Sequence, residues 1–201
     1  MFKVGNALFP LLEVNPNLQV YAYDFARSAI DLMVSSELYR EHNESYQKLL
    51  NDSKSFRVYG DVHDITNEDL PLEDNSMDLV LCMFVLSAIS YEKQAGIFNR
   101  MCRVLKPGGK LLIRDYGRYD EAQLRFNGKN KIEENFYVRQ DGTCAYYFTT
   151  EEIDELATSA GFECEENEYI TRQYANRKQV KARYRVWIHC KYKKKLREID
   201  N

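Results

Sequence analysis

The segment from Met77 to Phe84 constrains the fold more than any other part of the chain, because nearly all of its residues are apolar. A short run of this kind is typical of a strand in a buried parallel sheet. Tyr91 to Val104 then carries apolar residues at helical spacing, and Pro107-Gly108-Gly109 ends this helix. Lys110 to Arg114 predicts the next strand. A strand, a connecting helix and a second strand predict a parallel α/β sheet.

The same alternation of strands and helices continues on both sides of this unit. Helices are predicted from Ala7 to Val14 and from Ala26 to Ser36, and strands from Leu18 to Tyr23, Ser55 to Tyr59, Glu163 to Thr171 and Tyr184 to Tyr192. Thr149 and Glu152 predict the start of another helix, which Gly161 ends as a C-terminal cap. The last two strands predict an antiparallel hairpin, with an exposed connection from Ala175 to Lys181.

Composition and cysteine spacing argue against several classes of protein. The 201 residues, 44% of them apolar, suffice for one globular domain with a sizeable core. Five widely spaced cysteines without a Cys-x-x-Cys pair argue against a zinc site, and no metal is expected. Their odd number predicts unpaired thiols in a reducing compartment, the cytoplasm or also the nucleus. Neither a membrane span nor a secretory signal is predicted.

Acidic residues follow two of the predicted strands. Asp24 ends the first strand, about 20 residues after Gly5-Asn6, which is the spacing of an acid that binds a ribose diol. Asp61 follows Gly60, where a carboxylate can accept a hydrogen bond from an adenine amino group. Taken singly, Asp24 is more often a helix cap and Asp61 a turn residue.

The segments Arg114 to Phe126 and Asn135 to Thr143 mix aromatic residues, arginines and aspartates. This mixture fits neither the apolar stripe of a helix nor the alternation of a strand. It begins where a strand of the sheet ends, which is the position at which α/β enzymes build their active sites. These segments therefore predict a pocket for a flat, polar, partly anionic substrate.

The order of these motifs resembles the class I methyltransferases that use S-adenosylmethionine. The motifs are Gly5-Asn6, Asp24, Asp61, Asp78-Leu-Val-Leu81 and Leu105-Lys-Pro-Gly-Gly109. The resemblance implies a Rossmann-like sheet with helices on both faces and a C-terminal antiparallel hairpin. It implies that Asp24 holds the ribose hydroxyls and Asp61 the adenine amine. The remaining residues implied at the cofactor are Gly5, Asn6, Phe25, Val62 and Met83.

Residues 114–148 narrow the resemblance to the tRNA N3-methylcytidine methyltransferases. Arg114-Asp-Tyr-Gly-x-Tyr-Asp120, Leu124-Arg-Phe126 and Asn135-Phe-Tyr-Val-Arg-x-Asp-Gly-Thr143 carry it, with support from Ser87-Ala-Ile89 and Tyr184-Arg-Val-Trp187. The resemblance implies that Asp115 stabilises a ring that becomes cationic and that Tyr116 or Tyr119 stacks on the base. It implies substrate contacts by Arg125, Arg139 and Asp141. Alternatively, Asp115 with Arg125, and Asp141 with Arg139, form salt bridges that only shape the loop.

The chain departs from the family pattern at two places. Cys144 stands where the family usually has an arginine. The glycine loop retains only Gly5, and the strand before it is missing, so an N-terminally truncated member is implied. The absence of this central strand is expected to leave two strand edges without partners, or a gap closed by repacking. The resemblance divides a single domain, 1–201, into a cofactor half (1–115), a substrate-facing insertion (116–148), a helix and hairpin (149–192) and a basic tail (193–201).

The function implied is methylation of cytidine N3 in the anticodon loop of tRNA, with S-adenosylmethionine as cofactor and tRNA as partner. Two alternatives stay open: a weakly active or inactive member with a binding or regulatory role, and a methyltransferase for proteins or small molecules. Val138 to Gly142 favours the serine-tRNA branch, which works with seryl-tRNA synthetase, whereas Tyr184 to Ile188 favours the threonine-tRNA branch. The basic C-terminus either contacts phosphates or is solvated (Lys191, Lys193, Lys194, Lys195 and Arg197).

Overall fold

The computed structural model describes residues 7–176 and 181–196, and its fold is of the predicted α/β class. Gly5 and Asn6, both predicted to contact the cofactor, lie outside the described residues, as does Arg197. The chain, predicted as one domain, divides into two compact units, Met1–Glu68 and Asp69–Asn201. No helix in the described ranges is long and apolar enough to cross a membrane.

The first unit is a two-stranded parallel sheet with three helices. Its elements are α1 (Leu8–Val14), β1 (Val20–Asp24), α2 (Arg27–Val34), α3 (Glu37–Leu50) and β2 (Val58–Val62). Strands β1 and β2 pair in register from Val20 opposite Val58 to Asp24 opposite Val62. The buried residues Phe9, Leu12, Ile30, Met33 and Val58 form its core. Burial of such side chains supplies most of the driving force for folding of this unit.

Two parts of this unit differ from the sequence prediction. Strand β2 begins at Val58 instead of Ser55 and extends to Val62, because its backbone pairs with β1 along that length. Helix α3 was not predicted, although its apolar residues recur at helical spacing, and none of its residues is buried. Its ends are marked locally, because Ser36 Oγ accepts from the backbone N–H of Tyr39 and Asn51 adopts a left-handed conformation.

The second unit contains a four-stranded mixed sheet in the order β3-β4-β9-β8 and a small antiparallel sheet β5-β6-β7. Its elements are β3 (Met77–Met83), α4 (Tyr91–Val104), β4 (Leu105–Tyr116), α5 (Glu121–Leu124), β5 (Lys131–Glu133), β6 (Phe136–Val138), β7 (Cys144–Tyr146), α6 (Thr150–Ser159), β8 (Phe162–Asn176) and β9 (Lys181–Lys194). Two 3₁₀ turns complete it (Leu86–Ala88 and Gly128–Asn130). Strands β3 and β4 are parallel, whereas β9 is antiparallel to both of its neighbours.

The predicted β3–α4–β4 unit is confirmed, with two differences in its strands. In the described ranges β3 pairs only with β4, so it is an edge strand and not one buried on both faces; Leu79 is 44% exposed. In the same ranges β1 pairs only with β2, so β1 and β3 each have an edge without a partner, which is the first of the two expected outcomes. Strand β4 starts at Leu105 and includes the Pro-Gly-Gly turn as a bulge, in which Gly108 has a φ of +82° that favours glycine.

The C-terminal hairpin is longer than predicted. The β8–β9 ladder extends from Phe162 opposite Lys194 to Asn176 opposite Lys181, so both ends of the expected connection belong to strands. Residues 177–180 of that connection lie outside the described part of the chain. Strand β4 pairs with β9 only as far as Trp187. Residues 171–176 and 181–186 therefore form a two-stranded ribbon beyond the end of β4, which we call the ribbon.

The C-terminal basic segment is not a free tail along its described length. Strand β9 includes Lys193 and Lys194, and Lys191 Nζ lies 3.1 Å from Glu165 Oε2. Lys194 Nζ donates to the carbonyl oxygens of Cys102 and Leu105 at 2.6 Å and 2.7 Å. These carbonyls lie at the C-terminal end of α4, where a cation is favoured. Lys194 therefore caps a helix and is not available to phosphates.

The insertion at residues 116–148 is more regular than the sequence indicated. It contains α5 and the three-stranded sheet β5-β6-β7, whose strands are too short to show a periodic pattern. The predicted helix after it is confirmed as α6. Thr149 Oγ1 accepts from the N–H of Glu152, whose carboxylate accepts from the N–H of Thr149, which completes a capping box. Gly161 follows the helix with a φ of +97°.

Candidate active site

The predicted cofactor acids lie at one edge of the first unit's sheet. Because Asp24 ends β1 opposite Val62, and Tyr23 pairs with Asp61, both carboxylates stand at the carboxyl ends of parallel strands. This is the edge at which open α/β sheets bind their ligands. Gly60 allows the tight packing beneath it, since a Cβ at this position would overlap Met33 Cε. The sequence therefore placed two acids correctly in relation to each other.

Asp24 and Asp61 also have local partners. Asp24 Oδ1 accepts from the backbone N–H of Ala26 at 2.8 Å, which closes a local turn before α2. The helix-cap role weighed as the alternative is not observed, because Ala26 is the N-cap residue of α2 and no side chain among the described residues caps this helix. Asp61 Oδ1 accepts from the N–H of Val62 at 2.8 Å, and Asp61 Oδ2 accepts from the hydroxyl of Tyr59 at 3.1 Å. Both side chains are exposed and a carboxylate can accept about four hydrogen bonds, so capacity remains for a ligand. These carboxylates are hydrogen-bond acceptors, and they therefore fit the hydroxyl and amino groups of an adenosine, which donate.

The apolar residues predicted around the adenine occur in both units. Phe25 follows Asp24 with 77% of its surface exposed, so its ring is free to cover a flat group. Val62 packs partly against the core of the first unit. Met83 is the last residue of β3 in the second unit, opposite Arg114 of β4.

Three aromatic rings meet at one end of the four-stranded sheet. Phe84 follows β3, Tyr116 ends β4, and Trp187 lies opposite Tyr116 in β9. The ring centroid of Phe84 is 5.2 Å from that of Tyr116 and 6.4 Å from that of Trp187. Phe84 adopts a φ of +56°, a costly conformation for a bulky residue that is concentrated at functional sites. The rings stand at the carboxyl ends of the parallel strands, where a site is expected.

Three arginines lie against these rings. The Cζ atom of Arg114 is 4.6 Å from the ring centroid of Trp187, and that of Arg139 is 4.9 Å from the ring centroid of Tyr116. Arg185 contacts both rings, at 5.4 Å from Tyr116 and 5.9 Å from Trp187. Guanidinium groups at these distances are attracted by the ring faces. We call these residues the aromatic–arginine cluster (Phe84, Arg114, Tyr116, Arg139, Arg185 and Trp187).

Asp115 is fully buried beneath this end of the sheet. Its Oδ2 accepts from the backbone N–H of Ser87 at 3.1 Å, and its Oδ1 accepts from the N–H of Tyr116 at 2.9 Å. Burial raises the pKa of Asp115 to about 6, although these hydrogen bonds and the charge of Arg139 oppose the increase. The carboxylate is therefore ionised at neutral pH and is held between the ends of β3 and β4.

The other predicted substrate residues make local contacts. Tyr119 is 73% exposed, and its backbone N–H donates to Gln123 Oε1 at 2.7 Å. Arg125 pairs with Glu121 at 3.8 Å, not with Asp115. Asp141 Oδ1 accepts from the N–H and the hydroxyl of Thr143 in the turn between β6 and β7, not from Arg139. The two salt bridges weighed as alternatives are therefore replaced by other contacts. Of Arg125, Arg139 and Asp141, only Arg139 lies against the ring of Tyr116.

The sequence did not single out Asp120, Arg185 or Trp187 as site residues. Asp120 is fully buried, and its Oδ2 accepts from Arg185 Nε at 2.8 Å. The signals were the position of Asp120 within the Arg-Asp-Tyr-Gly-x-Tyr-Asp motif and that of Arg185 and Trp187 within Tyr184-Arg-Val-Trp187. Cys144 lies in β7 opposite Val138 and is half-buried. Within the described ranges, no cluster of three or more His, Cys, Asp or Glu side chains is arranged to hold a metal.

A comparison with known families identifies the architecture. The sequence pattern of a family described as "Methyltransferase domain" matches residues 5–113, which is more than half of the chain. The chain belongs to the methyltransferase domain family. The predicted resemblance to methyltransferases is thereby confirmed. A methyltransferase fold is also found by structural comparison: a crystal structure of a SAM-dependent methyltransferase from Methanosarcina mazei superposes with a TM-score of 0.65 at 20% identity, covering 93% of this chain and 87% of that one.

Curated members of the methyltransferase family align over nearly the whole chain. The tRNA N(3)-cytidine methyltransferase METTL2 of Bos taurus is 44% identical over 197 residues, which cover 96% of this chain and 48% of that protein. O-methyltransferase 3 of Dictyostelium discoideum is 42% identical over 197 residues, covering 96% of this chain and 42% of that protein. The chain thus spans about half the length of the curated relatives it matches.

Proposed function

We propose that this chain carries an S-adenosylmethionine-dependent methyltransferase activity that forms N3-methylcytidine in the anticodon loop of tRNA. The aromatic–arginine cluster is the observation that carries the proposal. Aromatic faces stack on an unpaired base, and guanidinium groups bind the phosphates that flank it. The relative named as a tRNA N(3)-cytidine methyltransferase supports the same substrate. The three arginines of the cluster also argue against a small cation as the substrate, because they would repel it.

On the cofactor side, S-adenosylmethionine supplies an electrophilic methyl group. We assign Asp24 to its ribose hydroxyls and Asp61 to its adenine amine, because both carboxylates are exposed at the carboxyl ends of β1 and β2. The ring of Phe25 is free to cover the adenine. Met83, and the undescribed Gly5 and Asn6, remain predictions as cofactor contacts. Hydrogen bonds to a charged acceptor are stronger than neutral ones, so the two acids supply specificity as well as affinity.

On the substrate side, the chain must align the base rather than remove a proton. In neutral cytosine the N3 atom carries a lone pair and no proton, so no general base is needed. Tyr116 would receive the base against its ring, with Arg139 and Arg185 beside it. The base becomes cationic as the methyl group is transferred. The ionised, buried carboxylate of Asp115 would favour that positive charge, since an electrostatic interaction is stronger away from water.

A second candidate is methyl transfer to a hydroxyl group of a small molecule. The relative named O-methyltransferase 3 favours it. Such a reaction requires removal of the hydroxyl proton, and therefore a base near the acceptor oxygen. Asp115 is fully buried and accepts hydrogen bonds from two backbone N–H groups, so it is poorly placed for this role. The cluster therefore favours the cytidine substrate.

The test is incubation of the 201-residue chain with S-adenosylmethionine and unmodified serine or threonine tRNA. Methylation of N3 blocks Watson–Crick pairing, so primer extension should stop one nucleotide before the modified cytidine, and mass spectrometry of nucleosides should show the product. Calorimetry with S-adenosylmethionine alone separates cofactor binding from transfer. Binding without product on any tRNA would support the regulatory alternative, and product on a small hydroxyl compound would support the second candidate.

An aminoacyl-tRNA synthetase partner and a cytoplasmic or nuclear location remain proposals. The five free cysteines are consistent with a reducing compartment. The Val138–Gly142 motif on which the serine branch rests leads into the turn between β6 and β7, where the N–H of Gly142 donates to the carbonyl of Arg139 at 3.1 Å. Sedimentation of the chain with seryl-tRNA synthetase, with and without tRNA, tests the partner directly.

A further inference from the structure

Two consecutive carboxylates replace a neighbouring strand along the inner edge of the ribbon. Strand β4 stops pairing with β9 at Trp187. Beyond it, the N–H of Val186 donates to Asp120 Oδ2 and the N–H of Tyr184 donates to Glu121 Oε2, each at 2.8 Å. Unpaired backbone groups at such an edge would otherwise need water or another chain. Asp120 and Glu121 therefore dock the ribbon against α5.

The two acids differ in burial and in what they hold. Asp120 has no exposed surface, whereas the side chain of Glu121 retains 27% of its exposure. Asp120 accepts three hydrogen bonds, from the N–H of Ala122, the N–H of Val186 and Nε of Arg185. A buried carboxylate with three donors is held in one orientation. Asp120 thereby fixes one edge of the guanidinium of Arg185.

The same guanidinium also lies over two rings of the aromatic–arginine cluster. Arg185 is in contact with both Tyr116 and Trp187, so its position couples the end of β4 to β9. A flexible arginine would leave the two rings free to adopt other rotamers, and ordering them on substrate binding would cost affinity or rate. The ion pair to Asp120 removes this freedom before the substrate arrives.

We propose that Asp120 is a positioning residue for methyl transfer, which acts through Arg185 to hold the ring faces of Tyr116 and Trp187 in the orientation that receives the base. The inference rests on the proposed function, because it assumes that the cluster receives a base of the substrate. Glu121 holds the same strand by accepting hydrogen bonds from Arg183 and from the N–H of Tyr184. Among the described residues, it makes no hydrogen bond with Arg185. The docking of the ribbon and the orientation of the rings are therefore separable.

The test compares Asp120→Asn with the matched control Glu121→Gln. Each substitution turns one carboxylate of the pair into an amide and weakens the docking of β9. Trp187 is the only tryptophan of the chain, so its emission and its quenching by acrylamide report on the cluster alone. We expect Asp120→Asn to change both and to lower kcat about tenfold with little change in KM, as misplacement of a substrate platform would. Glu121→Gln should leave the emission and kcat near those of the unaltered chain.

A second variant covers the case in which Asp120→Asn does not fold. Arg185→Lys retains a charge for Asp120 but lacks the flat guanidinium, and it should reproduce the change in Trp187 emission. Unchanged emission in both variants, or an equal change in Glu121→Gln, would overturn the proposal. The proposal would also be overturned if the fall in kcat of the variants were accounted for by a fall in their melting temperatures. If the unaltered chain methylates no tRNA, the proposed function fails, and the emission comparison still decides whether Asp120 fixes the rings.

Discussion

The buried carboxylate of Asp115 accepts a hydrogen bond from the backbone N–H of Ser87 at 3.1 Å, which joins the end of β4 to the turn that follows β3. Burial raises the pKa of Asp115 to about 6, so the folded chain keeps this proton at pH values where the unfolded chain has lost it. The contribution of Asp115 to the free energy of unfolding therefore falls as the pH rises from about 4 to about 6, and is constant above that range.

Asp115→Asn should remove this pH dependence. The expected result in urea unfolding is that the difference in unfolding free energy between the two chains changes by about 2–3 kcal/mol between pH 4 and pH 7, in favour of the variant. Asparagine can satisfy only one of the two N–H donors, so a constant penalty is superimposed on this trend. A difference that does not vary with pH would show that the carboxyl group is not shifted.

The same substitution tests the electrostatic role of Asp115 in catalysis. Asp115→Asn should lower turnover about tenfold to a thousandfold at pH 7, because a developing positive charge loses a buried negative partner. Affinity for S-adenosylmethionine should change much less, and calorimetry measures it separately from single-turnover methylation. Glu133→Gln, an exposed acid of β5, is the matched control. Normal turnover in Asp115→Asn would show that the carboxylate only braces the turn after β3.

Lys194→Met should destabilise the second unit. The ammonium group of Lys194 donates to Asn75 Oδ1, to the carbonyl of Cys102 and to that of Leu105, all at 2.6–2.8 Å. Loss of these contacts at the end of α4 should lower the free energy of unfolding by about 2–3 kcal/mol. Lys195→Met, at the exposed neighbouring position, should change it by less than about 0.5 kcal/mol. Equal effects of the two substitutions would contradict the capping role.

How far the sequence predicts the structure depends on the range of the interactions. Helix α4 and strand β3 were predicted because a local apolar pattern and a Pro-Gly-Gly turn define them. Helix α3 and the sheet β5-β6-β7 were missed, since one has no buried stripe and the other has three-residue strands. Three residues are too few to show the period of a strand, whereas α3 carried local signals that were overlooked, in its two caps and its apolar spacing.

The candidate site shows the same limit. Asp24 and Asp61 could be assigned from spacing, because each follows its own strand and parallel strands end at one edge. The Asp120–Arg185 pair joins residues 65 positions apart, so a single sequence gives no sign of it. Arg125 was weighed as a salt-bridge partner of Asp115 but pairs with Glu121, one helical turn away.

Glu152→Gln should loosen the insertion from α6. Glu152 caps the N–H of Thr149 at 2.7 Å, accepts two hydrogen bonds from Arg118 Nη2, at 2.9 Å and 3.0 Å, and accepts one from the hydroxyl of Tyr146. Its replacement should lower the free energy of unfolding by about 2–4 kcal/mol, because Arg118 is partly buried and loses its counterion. Glu151→Gln, next in the chain and exposed, is the control. Chemical denaturation compares them, and similar midpoints would contradict a shared network.

Asp24→Asn should weaken S-adenosylmethionine binding while leaving the fold intact. Asparagine can accept the same hydrogen bond from the N–H of Ala26, so the turn before α2 is retained, and the melting temperature should be nearly unchanged. Loss of the charged acceptor for the ribose hydroxyls should raise the Kd about tenfold or more. Asp31→Asn, on the exposed face of α2, controls for a general loss of negative charge in the first unit. Calorimetry with S-adenosylhomocysteine provides a second measurement that does not depend on turnover. Unchanged affinity in Asp24→Asn would leave Asp24 with only its role in the turn before α2.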